Sequence, residues 1–210
     1  MNALLRAMPA VALAAAVLTG CSAPPPCRLC DAVEARDLAA VRALLAQGEA
    51  VTARVLETAA DPNRVVARTP PGGPEAIDRE IVDLLLENGD PNARWMLAGS
   101  RLRSGSSSGS QKAVYLAEAL MELWGDRAMV ERLLARGLDV RGTPGGQALR
   151  QAVISRRPDA VRALLAAGAP VNHVGVNVLD RTTPLAEAIQ TRDLALIDLL
   201  ESAGAIEWVD

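Results

Sequence analysis

The residues best suited to chemistry in this chain are three cysteines, Cys21, Cys27 and Cys30, and the single histidine, His173. Thiolates act as nucleophiles, redox groups or metal ligands, and imidazole is the usual base beside a nucleophilic serine or cysteine. One histidine and one Cys-x-x-Cys pair give zinc too few ligands. No histidine follows Cys30, so the pattern for attaching c-type haem is also missing. The sequence therefore predicts no metal and no cofactor.

Cys27 and Cys30 are spaced for a local disulfide. Two cysteines three apart at the start of a helix have Cα atoms within the range of about 4.4–6.8 Å that a disulfide requires. Two alternatives are free or buried thiols and a redox pair. A thioredoxin-like redox pair would need a βαβ context, which the surrounding sequence does not supply.

We find no catalytic constellation in the sequence. Every Ser–His or Cys–His system would depend on His173, which falls in a predicted loop and is expected to be solvated. Glu118 and Glu122 have a helical spacing that is common on exposed helix faces, so it does not indicate an acid–base pair. The sequence therefore predicts no catalytic residue and no enzyme.

The amino terminus has the pattern of an export signal. Arg6 gives it a positive start, and the apolar run 9–18 is too short to cross a bilayer core of about 30 Å. Leu18-Thr-Gly-Cys21 resembles the lipobox of bacterial lipoproteins. That resemblance implies cleavage before Cys21, lipidation of Cys21 and a lipid-anchored, periplasm-facing protein of the bacterial envelope. Ser22 implies the outer membrane by the same resemblance. The alternative is an ordinary signal peptide with a chance cysteine.

The composition favours closely packed helices. Hydrophobic residues make up 50% of the chain, but phenylalanine is absent and aromatics total 2%. The core must therefore consist of Leu, Val, Ile and Ala. The net charge of −3 and the lack of a basic block argue against nucleic acid as a partner.

Five segments of the chain repeat one pattern, an amphipathic helical run that ends in glycine. Such a glycine commonly caps a helix in the left-handed conformation. A shorter helix precedes each run, most clearly Thr183-Pro-Leu-Ala-Glu-Ala-Ile189. The five runs are 41–48, 82–89, 130–137, 161–168 and 197–204.

The order of motifs in this chain resembles the ankyrin repeat, whose unit is about 33 residues. These motifs are Thr-Pro-Leu-x-x-Ala, then a Leu-Leu helix, then Gly-Ala-x-Val-Asn. The resemblance implies an all-α ankyrin-repeat solenoid of about five helix-turn-helix repeats with short extended connecting fingers. The usual histidine after Thr-Pro-Leu is Ala186 here, and Gln147-Ala-Leu149 replaces Thr-Pro-Leu in the fourth repeat. TPR repeats are the alternative, but their second helix does not end in glycine. Glu201, at a normally apolar position, suits a polar capping repeat.

The chain accordingly divides into a signal peptide (1–20), a proline-rich tether (21–27) and a repeat domain (28–210). Pro/Gly-rich and Gly/Ser-rich insertions are expected near 61–74 and 99–110. The helices predicted most specifically are Leu29–Ala35, Leu38–Ala46, Val51–Ala60, Glu75–Asn88 and Val114–Trp124.

The ankyrin resemblance implies a concave binding surface formed by loop tips and first helices. Arg and Trp are common anchors in protein interfaces, whereas Tyr115 and Trp124 are expected to pack internally. For each surface residue the alternative is an ordinary solvated loop position. The predicted partner-binding residues are Asn92, Arg94, Trp95, Arg141, His173, Asn177, Asp180, Arg181, Gln190 and Thr191.

Three functions follow as hypotheses. The first is a monomeric, membrane-anchored protein-binding module that neutralises or scaffolds a partner protein. The second is a periplasmic redox or stress-protection protein that uses Cys27 and Cys30. The third is a structural envelope lipoprotein without a dedicated ligand.

Overall fold

The computed structural model describes residues 26–61, 76–97, 112–175 and 182–206. This part of the chain is mostly helical, as predicted, with ten helices and two short strands. In chain order the elements are α1 (Arg28–Glu34), α2 (Leu38–Ala46), α3 (Ala53–Ala60), α4 (Ala76–Asn88), β1 (Arg94–Leu97), β2 (Lys112–Tyr115), α5 (Leu116–Trp124), α6 (Arg127–Ala135), α7 (Thr143–Ile154), α8 (Pro158–Ala166), α9 (Pro184–Gln190) and α10 (Leu194–Ser202).

The helices form five consecutive pairs, and each first helix packs against its own second helix. The first helices α1, α3, α5, α7 and α9 also contact one another in chain order. Among the second helices, α2 contacts α4, and α8 contacts both α6 and α10. Arg132 of α6 forms an ion pair with Asp83 of α4 at 3.0 Å. The described chain is therefore built of two helical layers in which neighbouring pairs cover each other's apolar faces.

Short polar residues begin many of these helices. Asp37, Asp126 and Asp193 each accept a hydrogen bond from the backbone N–H three residues further on, at 2.9, 2.8 and 3.2 Å. Thr52 and Thr183 do the same for α3 and α9. These side chains satisfy donors that the first turn of a helix leaves unpaired, which fixes where each helix starts.

The turn inside three of the pairs contains an arginine in the left-handed conformation. Arg36, Arg156 and Arg192 have φ values of 55°, 53° and 54°. A non-glycine residue costs roughly 1–2 kcal/mol in this conformation. Arg36 recovers part of that cost through a bidentate hydrogen bond to the buried Asp78, at 3.2 and 2.8 Å.

The helix predicted over Val114–Trp124 exists, but its predicted start was wrong. Lys112–Tyr115 forms a strand antiparallel to Arg94–Leu97, with Arg94 opposite Tyr115 and Trp95 opposite Val114. The helix begins only at Leu116. Val114 and Tyr115 favour extended structure, and their pairing partners lie beyond the long insertion, so a local helical pattern could not indicate the hairpin.

The other helix predictions hold to within a few residues. Leu38–Ala46 is confirmed at both ends, whereas α3 starts at Ala53 because Thr52 caps it. Helix α7 starts at Thr143, so Gln147 lies inside it, and Pro144 is tolerated in the first helical turn. Most of the predicted 61–74 insertion and all of 99–110 lie outside the described residues.

The core consists mainly of Leu, Val, Ile and Ala side chains from both layers, as the composition predicted, together with Met121, Met129, Trp95 and Trp124. Trp124 is buried, also as predicted, and the Arg79 guanidinium lies 5.8 Å from the centre of its ring. Within the described ranges no helix combines the length and apolar character needed to cross a membrane.

Candidate functional site

A surface cleft lies between the second pair and the hairpin. Its volume is about 520 Å³. Apolar side chains from the start of α3 form one wall, and the polar groups come from the loop before β1 and the end of β2. The lining residues are Val51, Ala53, Leu56, Asp90, Asn92, Ala93, Arg94 and Tyr115.

Two predicted contact residues, Arg94 and Trp95, lie on opposite faces of strand β1. Arg94 is exposed at the cleft, whereas Trp95 is only 7% exposed and belongs to the core. Adjacent residues of a strand point to opposite sides, so only one of the two can face a partner. The prediction that Trp95 is a surface anchor was therefore wrong.

Asn92 lines the cleft and also binds the loop of the next helix pair. Its Nδ2 donates to the Gly137 carbonyl at 3.1 Å, and its Oδ1 accepts from the Asp139 N–H at 2.6 Å. Both ends of the amide are thus used to hold the next helix pair. This accounts for Asn92 without a partner protein.

Arg141 and Gln190 are exposed, as a contact role requires. The Arg141 side chain lies close to the loop that follows α8. A Cβ atom added to Gly168 of that loop would be 3.4 Å from the Arg141 Nε. Gln190 is the last residue of α9, which is the first helix of the fifth pair. Arg94, Arg141 and Gln190 belong to three different helix pairs.

Thr191 is half-buried and caps the end of α9. Its hydroxyl donates to the carbonyl oxygens of Glu187 and Ala188, at 3.0 and 3.1 Å. Its own carbonyl accepts a hydrogen bond from Arg156 of the preceding pair at 3.0 Å. The hydroxyl contacts end the helix and the carbonyl contact joins two pairs, so the fold itself accounts for Thr191.

His173 was expected to be a solvated loop residue, which was wrong. It is half-buried, and a methyl group at Gly146 would collide with its ring. Burial lowers the pKa of His173 below its usual value, and the positive charge of Arg150 lowers it further. The imidazole is therefore neutral over a wider pH range than a free histidine, and it packs against the first turn of α7.

The structure also contains a buried polar cluster that the sequence did not indicate. Arg150 NH2 and Glu187 Oε1 are 2.8 Å apart, with side chains 5% and 10% exposed. Thr182 bridges them, since Arg150 Nε donates to its hydroxyl at 3.3 Å and that hydroxyl donates to Glu187 at 2.7 Å. The cluster joins the fourth and fifth pairs, so it is internal and stabilises the packing of one pair against the other.

Cys27 and Cys30 are bonded in a disulfide, with Cα atoms 5.1 Å apart. Cys27 is the N-cap of α1, and its sulfur accepts from the Cys30 N–H at 3.1 Å. Cys27 is half-buried and Cys30 is buried. The disulfide therefore fixes the first turn at the amino-terminal end of the described stack.

Four predicted site residues lie outside the described part of the chain: Cys21, Asn177, Asp180 and Arg181. Among the described residues no group of three or more His, Cys, Asp or Glu side chains is arranged to hold a metal ion. The chain matches no protein-family model and no curated protein.

Proposed function

We propose that this chain is a lipid-anchored helical-repeat protein of the ankyrin type, facing the periplasm of a bacterial envelope, and that it binds a partner protein. On this proposal it performs no reaction of its own. Leu18-Thr-Gly-Cys21 at the end of an export signal supports the anchor. We infer the outer membrane from Ser22.

The ankyrin assignment is supported by contacts that recur between pairs. Gly48, Gly137, Gly168 and Gly204 end four second helices with φ between 83° and 94°, as the repeated glycine predicted, whereas Gly89, the fifth glycine of the pattern, is not left-handed. Loop asparagines reach two of these glycine turns from the preceding pair. Contacts that recur from neighbour to neighbour are how a repeat array gains stability, since no repeat buries its own apolar face alone.

The cleft beside Arg94 is the observation that carries the binding proposal. Arg94 is exposed there and has no ion-pair or side-chain hydrogen-bond partner among the described residues, whereas many other arginines are paired. The apolar wall from α3 and the Tyr115 ring supply area that a partner can bury. An unpaired arginine beside an apolar wall suits an acidic or carbonyl-rich segment of a protein.

Capture from the native host tests the proposal. Full-length protein is extracted from membranes in mild detergent, and co-purifying proteins are quantified for wild type, Arg94→Glu and Arg162→Glu. Arg162 is the matched control because it is exposed and its ion pair, with Asp159, is within its own helix at 2.7 Å. We expect a partner that is lost with Arg94→Glu and kept with Arg162→Glu. Equal capture by all three proteins would contradict the proposal.

A redox function is the second candidate, favoured by one observation. The Cys27–Cys30 disulfide lies at a helix start, where Cys27 is half-buried and Cys30 is buried. Thiol–disulfide exchange requires access to one sulfur of the bond. Loss of in-cell function in Cys27→Ser/Cys30→Ser, with no loss in Arg94→Glu, would favour this candidate over binding.

A further inference from the structure

Strand β1 bonds to β2 through every second residue. At the end of the ladder the Leu116 N–H donates to the Ala93 carbonyl at 2.8 Å. Hydrogen-bonded and non-bonded residue pairs alternate along an antiparallel ladder. Two positions further along β1, Trp95 lies opposite Val114, so the backbone groups of Trp95 also point towards β2. The residues between these ladder positions therefore turn their backbone groups to the other edge of β1.

Arg94 and Met96 are the residues whose backbone N–H and C=O groups point away from β2. The opposite strand shows the same alternation, since the Tyr115 N–H points out of the ladder towards the Glu118 carboxylate, 3.5 Å away. No hydrogen bond joins the outward groups of Arg94 or Met96 to another described residue, and the sheet has two strands in the described ranges. The outer edge of β1 thus offers backbone donors and acceptors.

The side chains of Arg94 and Met96 lie on one face of this edge. Residues two apart in a strand point to the same side and are about 7 Å apart, whereas Trp95 between them belongs to the core. Arg94 is exposed and lines the cleft, and the Met96 side chain is 53% exposed. A cation and an apolar side chain therefore accompany the outward backbone groups.

The charge of the hairpin selects what can bind this edge. Residues 94–115 contain three arginines, one lysine and no acidic residue, in a chain whose net charge is −3. Neither a second copy of the hairpin nor the insertion within it can bring a carboxylate to Arg94. Asp90 also lines the cleft, but its carboxylate accepts the Asn92 N–H at 2.8 Å and forms no ion pair with Arg94. The complementary occupant is an acidic segment from outside the hairpin.

We propose that the partner protein adds an extended strand, antiparallel to β1, to the outer edge of β1. Strand addition rests on the proposed binding function and specifies the partner segment, which carries an acidic residue two positions from an apolar residue. The acidic residue lies opposite Arg94 and the apolar residue opposite Met96, because opposite residues of paired strands share a face. Main-chain hydrogen bonds supply affinity in such complexes, and alternate side chains supply specificity.

A designed peptide tests strand addition on the full-length protein in mild detergent. The probe is fluorescein-labelled Thr-Thr-Ile-Thr-Glu-Thr-Thr with blocked ends, and its binding is measured by fluorescence anisotropy. We expect saturable binding to wild type and about tenfold weaker binding to Arg94→Glu, because the charge contact becomes repulsive. A probe with lysine in place of glutamate should recover binding to Arg94→Glu. Arg162→Glu is the matched control and should bind the probe like wild type.

Methylated probes test the backbone hydrogen bonds without changing the protein. In the proposed pairing the glutamate and isoleucine N–H groups of the probe face β1, whereas the N–H of the threonine between them faces away. We expect N-methylation of the glutamate to abolish binding and N-methylation of that threonine to leave it unchanged. Equal binding of the two methylated probes would overturn strand addition, since side-chain contacts alone do not distinguish them.

Met96→Pro makes the same test from the side of the protein. Proline removes the outward N–H but no bond of the β1–β2 ladder, and it is tolerated at such edge positions. Met96→Ala keeps that N–H. We expect Met96→Pro to abolish probe binding and Met96→Ala to weaken it only in part, with circular dichroism melts to confirm that both variants are folded. Ala113, which lies opposite Met96, provides the control: Ala113→Pro alters the outer edge of β2 and should bind like wild type.

Strand addition and the binding function fail in different experiments. A wild type that does not bind the probe overturns strand addition, as does binding that appears only after deletion of residues 99–110, because the insertion would then occupy the edge. A host partner that is lost with Arg94→Glu and kept with a folded Met96→Pro would uphold the binding function and overturn strand addition. Equal capture of host proteins by wild type and Arg94→Glu, with normal binding of the probe, would contradict the binding function alone.

Discussion

Asn172 of the fourth pair binds the turn at Gly204, which ends the second helix of the fifth pair. Its Nδ2 donates to the Gly204 carbonyl at 3.3 Å, and its Oδ1 accepts from the Ile206 N–H at 2.9 Å. Asn92 makes the equivalent contacts at Gly137 two pairs earlier. One amide side chain thus satisfies a carbonyl that the helix end leaves unpaired and fixes the loop that follows.

Replacing Asn172 with alanine should therefore weaken the stack. Two hydrogen bonds are lost from a site that solvent can reach, so we expect the free energy of unfolding to fall by about 1–2 kcal/mol in urea denaturation. Asn88→Ala is the matched control, because Asn88 is exposed and bonds only to Leu84 O within its own helix. Equal effects of the two substitutions would contradict the bridging role.

The Arg150–Glu187 pair should show strong energetic coupling. Removing one member leaves the other buried without its charge partner, which typically costs about 3–5 kcal/mol. We expect Arg150→Met and Glu187→Gln each to destabilise the protein strongly, and the double variant to lose much less than the sum. A double-mutant cycle measured by chemical denaturation checks this, and additive effects would show that the pair is not coupled.

His173 should make the stability depend on pH in a defined direction. Its pKa is lower in the folded protein than the usual 6.5, so below that pH the unfolded chain binds more protons than the folded chain. The free energy of unfolding should therefore decrease as the pH falls from about 7 and should level off below the folded pKa. His173→Gln should remove this component, which is measured as the wild-type minus variant difference at each pH. A difference that does not change with pH would contradict the assignment.

Cys21→Ser should abolish lipidation. Wild type should incorporate labelled fatty acid and sediment with membranes, because several acyl chains anchor a protein stably. The variant should remain unprocessed or appear in the soluble fraction. Cys27→Ser/Cys30→Ser is the control that keeps Cys21, and it should be labelled like wild type. Unchanged labelling of Cys21→Ser would exclude the lipobox interpretation.

The sequence predicted the elements whose signals are local. The helix Leu38–Ala46 is bounded by a capping aspartate at one end and a glycine turn at the other, and both signals lie within a few residues of the helix. The burial of Trp124 followed from its place in an apolar helical run. Local signals were sufficient wherever the chain folds against its immediate neighbours.

The errors concern contacts between residues distant in the chain. Trp95 was taken for a surface anchor because its strand partner, Val114, lies beyond the long insertion. No local signal marks Arg150 and Glu187 as partners, since only the stacking of two pairs brings them together. His173 became half-buried beside Gly146 of α7, whose lack of a side chain leaves room for the ring. The surroundings of such residues depend on how neighbouring pairs are aligned, and a single sequence does not specify that alignment.

The most direct test of the binding account is the affinity of the captured partner for three proteins. These are wild type, Arg94→Glu and Cys27→Ser/Cys30→Ser, compared at two salt concentrations. The account predicts that Arg94→Glu weakens the complex, with a smaller difference at high salt because ions screen exposed charges. It predicts that the cysteine variant binds like wild type at a temperature where it remains folded. Binding that is lost with the cysteines and unaffected by Arg94→Glu would contradict the account.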